Sequence, residues 1–304
     1  MDHLPETTSL LHHFAVLKDP RQLVKVVYPF PEILLLVPCA TIVGTDDFVE
    51  VQHWGETHMD FLRRFLPYKN GIPSHDALND LMNALNPALF SECFVTWVSH
   101  LRDDDLDIVA VDGKTSRRSH AKSKGRKPLH LVSAWASRQR LVLGQQATDI
   151  KSNEITAIPL LLERLELNGA LVTIDAMGCQ TKIAATILDR GADYLLAVKD
   201  NQPALHDGIK RYFDDAPASE LETVQTTDGE HGRIEVRRHV VSHNVDWLAA
   251  DSRFPGIKTI AMVENRVERN GETSCERRYY ISSAFLLVML FANAVRCHWH
   301  IENN

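Results

Sequence analysis

The spacing of apolar positions changes character near residue 105. Before it, apolar residues recur at helical intervals in segments 9–17, 32–43, 47–54 and 59–65. Pro38 falls inside the second segment, where it is expected to break or bend a helix. Ser74 stands where an N-cap belongs, ahead of an apolar run over 78–85. Residues 87–101 carry Phe90, Phe94, Val95 and Val98 at helical spacing. The acidic run 103–107 reads as a solvated linker. The chain therefore divides into an all-helical domain, residues 1–102, and a second domain, residues 107–304.

The second domain opens on four apolar residues, Ile108 to Val111, the mark of a strand buried on both faces. Asp112 stands at its end and Gly113 opens the turn. The device repeats at 171–178, where Asp175 follows Leu-Val-Thr-Ile. If the two strands are neighbours, their aspartates converge into a pair of hard oxygen ligands of the type Mg²⁺ or Mn²⁺ prefers. The alternative is that each aspartate only caps a strand-to-loop turn. Strands at 130–136 and 141–147 flank a short connection, 137–140. Helices follow at 154–165, capped by Asn153, and at 181–190, ended by Gly191, and a strand at 192–198. Period-two alternation then marks 233–241, 256–263 and 277–282, with Asn270-Gly271 as a turn, so residues 216–283 form a β-rich insertion. A last helix spans 284–302. The order strand, hairpin, helix, strand, helix, strand predicts an α/β fold of the RNase H-like kind. It is a mixed sheet with flanking helices, whose first and fourth strands lie side by side and carry the acids.

The 304 residues are 44% hydrophobic and 24% charged with a net charge of −7, an ordinary globular composition that excludes uniform coating of nucleic acid. Charge is distributed unevenly, however. Between Asp112 and Asp149 there is no acidic residue and there are nine Lys or Arg, Lys114, Arg117 and Arg118 among them. This is either a solvated loop or a contact to a polyanion beside the Asp112 end. Five scattered cysteines without CxxC spacing read as reduced thiols of a cytoplasmic protein. The apolar runs at 33–43 and 284–295 fall short of the roughly 20 residues that span a bilayer. Near the end of the chain, Glu302 is a third candidate carboxylate, and Trp299 reads as the core anchor of the last helix. Three acids holding two divalent ions about 3.5–4 Å apart are a recurring solution for in-line phosphoryl displacement.

Six stretches carry a resemblance: Asp112-Gly-Lys-Thr, Thr173-Ile-Asp-Ala-Met-Gly-Cys-Gln, Ala197-Val-Lys-Asp-Asn-Gln, His231-Gly-Arg-Ile-Glu, Tyr279-Tyr-Ile-Ser-Ser and His298-Trp-His-Ile-Glu-Asn. In this order the chain resembles the ISAs1-family insertion-sequence transposases, including the H-repeat-associated proteins, from its helical region to its last residue. The resemblance implies that Asp112, Asp175 and Glu302 are a DDE catalytic triad binding two Mg²⁺ or Mn²⁺ ions. It implies DNA strand cleavage and transfer by a homodimer on DNA, with a transposase-associated domain at the N-terminus. Lys114, Arg117, Arg118, Lys199, Arg233 and Arg237 become expected phosphate contacts, with Glu235 a rival partner for the last two. Family members continue past the Ile-Glu-Asn motif, so a chain ending at Asn304 is expected to be truncated. The rival readings are a metal-dependent nuclease that does not join DNA, and a catalytically dead DNA-binding remnant.

Overall fold

The structure is a computed structural model that describes residues 5–22, 24, 26–101, 108–115, 129–148, 154–230, 233–249, 253–269 and 272–303. The chain separates into two compact units, Met1–Leu101 and Arg102–Asn304.

The first unit contains helices α1 (Pro5–Phe14), α2 (Phe30–Ile42), α3 (Phe48–Thr57), α4 (Met59–Leu62), α5 (His75–Ala84) and α6 (Pro87–Leu101). Their apolar stripes meet in one core that includes Phe14, Ile33, Leu36, Leu62 and Leu78. Asp47 caps α3 by accepting from Val49 and Glu50 N–H, and Ser74 caps α5 by accepting from Ala77 N–H at 3.3 Å. Pro38 does not end α2, which runs through it to Ile42.

The second unit is built on one nine-stranded mixed sheet. Its strands are β1 (Ile108–Thr115), β2 (His130–Ala136), β3 (Leu141–Thr148), β4 (Leu171–Ile174), β5 (Asp193–Val198), β6 (Glu222–Glu230), β7 (Arg233–Ser242), β8 (Thr259–Arg269) and β9 (Glu272–Ser282). Their order across the sheet is β3-β2-β1-β4-β5-β9-β8-β7-β6. Strands β1 to β3 are antiparallel, while β4 and β5 run parallel to β1. This is the RNase H-like arrangement, with the first and fourth strands adjacent. Val109, Val111, Val172 and Ile174 are at most 3% exposed, as expected for strands covered on both faces. The β-rich stretch extends the same sheet, because β9 pairs antiparallel with β5. The connection at Asn270-Gly271 lies outside the described residues, as do the acidic run at 103–107, the basic segment at 116–128 and the proposed Asn153 cap.

One sheet face carries α7 (Glu154–Leu162), which packs on β2 and β3, and α8 (Thr181–Asp189), which packs on β5. Gly191, at φ +70°, closes α8 in the left-handed region where a side chain would be strained. The opposite face carries the last helix, α11 (Val288–Asn303), whose Phe291 and Ala294 pack against Ile108, Leu171, Leu195 and Tyr280. This helix begins four residues later than its apolar pattern predicts. Thr259 Oγ1 donates to Ala284 C=O at 2.7 Å and accepts from Leu286 N–H at 3.1 Å, so a side chain satisfies this backbone and holds it extended.

Candidate active site

Asp112 lies on β1, one residue past the registered pair Val111–Ile174, and Asp175 directly follows β4. The two aspartates are thus side by side on adjacent parallel strands, whose backbones lie about 4.8 Å apart. Alternation assigns the faces. Ile108 packs under α11 and Lys114 Nζ donates to Ile301 C=O in that helix, so Asp112, between them in phase, projects to the α11 side. Leu171 packs there too, and Thr173 Oγ1 is 3.0 Å from His298 Nδ1, which puts Asp175 on the same side. Both carboxylates stand on one face of the sheet, beneath the end of one helix.

Local bonding fixes each acid. Asp112 Oδ1 accepts from Gly113 N–H at 2.8 Å. Asp175 Oδ1 accepts from Met177 and Gly178 N–H at 3.1 and 3.3 Å, capping a short 3₁₀ turn over Ala176–Gly178. Asp175 does cap its turn, whereas Asp112 stands inside β1, which pairs with β2 through Gly113 to Thr115 instead of turning at Gly113. Behind β1, the carboxylate of Glu154 fills the space that a side chain at Gly113 would occupy. A Cβ there would stand 2.3 Å from Glu154 Cδ, so any side chain at this position requires the Glu154 carboxylate to shift.

The loop after β5 is tied to the loop after Asp175. Asn201 Nδ2 donates to Ala176 C=O at 2.6 Å, and Gln202 Nε2 donates to Cys179 C=O at 2.9 Å. These bonds bring exposed Lys199 to a cleft of about 280 Å³ lined also by Asp175, Ala197, Arg278, His298 and Trp299. The adjacent Cys179 is no nucleophile, since burial, and secondarily Asp175, push its thiol up to about 12.

Glu302 has its backbone in the last turn of α11, one turn after His298; its side chain lies outside the described part. The donors that are described suit a hard divalent cation, being carboxylate oxygens on one face with no thiolate reaching them. Among the described residues no group of three His, Cys, Asp or Glu side chains gathers as a complete metal cage.

Two family descriptions match. "Transposase DDE domain" covers residues 103–304, and "DDE_Tnp_1-associated" covers residues 11–98. The chain belongs to the DDE transposase family. The associated region falls within the helical unit, and the DDE domain coincides with the sheet unit. Among this family's members, the H repeat-associated protein YhhI of Escherichia coli (strain K12) is 40% identical, covering 98% of this chain and 81% of its own length. The uncharacterized protein in the dhlA 3′ region of Xanthobacter autotrophicus is 44% identical over 89% of this chain and 92% of its own. The piggyBac transposase of a synaptic complex with hairpin DNA aligns at TM-score 0.40 and 9% identity; this chain covers 63% of that chain.

Of the residues expected at the site of a DDE transposase, Asp112 and Asp175 lie on neighbouring strands, Lys199 lines the cleft beside Asp175, and Glu302 has its backbone at the adjoining helix end. Lys114 is engaged by Ile301. Arg237, on β7, donates to Glu235 Oε1 from Nε at 3.1 Å and from a terminal nitrogen at 2.9 Å, the pairing anticipated as the rival to phosphate contact. Arg233 has its backbone in β7 and its side chain outside the described part; Arg117 and Arg118 lie outside the described residues. Trp299 is not the buried anchor that its spacing suggested. It is 42% exposed, with the Arg278 guanidinium 4.9 Å from its ring centroid. Sequence reasoning missed Arg278 and His298 as cleft residues. His298 carried a signal, since it precedes Glu302 by one helical turn and so shares its side of α11. Arg278 carried none, because only the β9 register with β5 carries it to the cleft.

Proposed function

We propose that this chain catalyses Mg²⁺-dependent cleavage and transfer of DNA strands at the ends of an insertion sequence, using Asp112, Asp175 and Glu302. One observation carries the reading: Asp112 within β1 and Asp175 just past β4 stand side by side on adjacent parallel strands and on the same face, under the helix that bears Glu302. Divalent ions bound there would activate the attacking water or 3′-hydroxyl and neutralise charge on the leaving oxygen. The protein's part is positioning. Hydrogen bonds from Gly113, Met177 and Gly178 aim the aspartates. Lys114 and the Thr173–His298 contact hold the end of α11 against β1 and β4. Lys199 and Arg233, with Arg117 and Arg118 in the basic segment, supply cations for a phosphate backbone. Transfer joins two ends, so two copies act together on the DNA.

Mg²⁺ titration calorimetry tests the site. The wild-type protein takes up the ion and Asp112→Asn loses most of that uptake; equal heats for both would refute the assignment.

A further inference from the structure

Away from the carboxylate site, the helical unit brings imidazoles together. His13, in the last turn of α1, and His100, in the last turn of α6, have ring centroids 4.5 Å apart and planes tilted by 47°. The docking of the two helices sets this meeting, since Phe14 of α1 packs edge-on against Phe90 of α6 with centroids 5.1 Å apart. Phe14 is buried beneath, whereas His13 is half-buried and His100 exposed, so the pair is open to solvent. His12, next to His13, stands 5.8 Å from it and edge-on.

Three observations fit the two rings to a metal ion. His100 Nδ1 is 2.8 Å from Thr96 C=O, and a carbonyl oxygen only accepts, so Nδ1 carries the proton and Nε2 keeps its lone pair. A bond of this kind, from one ring nitrogen to a backbone carbonyl, is the usual support of a metal-ligating histidine. His13 makes no hydrogen bond to a described residue. Burial first, then His100 and His12, hold its pKa below the usual imidazole value, which keeps it in the neutral form that metals bind. The separation is the third observation. Two imidazoles on one ion, with metal–nitrogen distances of about 2.0–2.1 Å, have centroids roughly 4.5 Å apart at a right angle and roughly 5.2 Å apart at the tetrahedral angle. The 4.5 Å found here is the right-angle value, which suits octahedral and square-planar ions better than tetrahedral Zn²⁺.

We infer that His13 and His100 bind one late first-row divalent ion of the Ni²⁺ or Cu²⁺ kind, and that the ion ties α1 to α6. Among the described residues no third His, Cys, Asp or Glu joins them, so water fills the remaining positions. His12 is no ligand, because adjacent residues of a helix face different ways. The inference is independent of the DNA chemistry proposed above.

The probe is NiCl₂ alone, titrated calorimetrically into the whole chain at neutral pH. Every protein carries His3→Gln, which removes the chelate that an amino-terminal Met-Asp-His offers this ion. The parent takes up Ni²⁺, and His13→Gln and His100→Gln each weaken that binding about tenfold or more, because losing a ligand costs at least as much as losing its supporting bond. His12→Gln binds as the parent does. Ions held by carboxylates elsewhere are common to all four titrations and cancel in the comparison. A parent that takes up no Ni²⁺, titrations of His13→Gln and His100→Gln that match the parent's, or an equal loss in His12→Gln would each overturn the inference.

Discussion

Thr173 Oγ1 lies 3.0 Å from His298 Nδ1, a single contact that joins the strand ending in Asp175 to the helix turn preceding Glu302. Together with the bond from Lys114 to Ile301, it couples the positions of acids far apart in sequence. Thr173→Val keeps the shape and removes the hydroxyl. It is expected to lower stability by about 1 kcal/mol, the net worth of one hydrogen bond, yet to slow Mg²⁺-dependent cleavage about tenfold or more by loosening the site. Single-turnover cleavage beside urea unfolding checks this. A loss of rate no greater than the loss of folded protein would contradict it.

Gly113→Ala is expected to destabilise by about 1–3 kcal/mol, the usual cost of overpacking, because the new methyl meets the carboxylate of buried Glu154, which must shift to admit it. Truncating the obstacle in Gly113→Ala/Glu154→Ala recovers part of that loss relative to Glu154→Ala alone. Urea midpoints of the four proteins close the cycle, and an additive result would contradict the clash.

The fold's skeleton was legible because it rests on local pattern. The four-residue apolar runs before Asp112 and Asp175 announce strands buried on both faces, and Gly191 announces the end of α8. Hydrophobic period also marks the β-rich stretch. Its joining to the main sheet was hidden, since the β5–β9 pairing links residues more than 80 positions apart and no spacing rule encodes it. Arg278 could be found only through that pairing. The late start of α11 was hidden for a similar reason, because Thr259, a distant side chain, captures its first turn. Trp299 misled in the opposite direction: helical spacing gives a face, and here the cleft opens on that face.

His239 predicts an acid limit. Burial first, then Arg237 and Arg296, push its pKa down to about 4, against about 6.5 in the unfolded chain. Between those values the unfolded chain binds a proton that the native one refuses, so stability is complete above pH 6.5 and declines as the pH falls toward 4. The decline from this residue alone reaches about 3 kcal/mol at most. His239→Phe is expected to flatten that part of the profile between pH 7 and pH 4.5. Parallel profiles from chemical denaturation would contradict it.

The central claim, that Asp112 and Asp175 act as one site on DNA, is tested most directly by incubating a supercoiled plasmid carrying the DNA ends that flank this coding frame with wild-type, Asp112→Asn and Asp175→Asn protein. Cleaved and joined products that require Mg²⁺ and fall about 10³-fold in either variant, with duplex binding retained, are the predicted result. Products that persist in both variants, or wild-type protein that binds the ends and yields no Mg²⁺-dependent product, would contradict it.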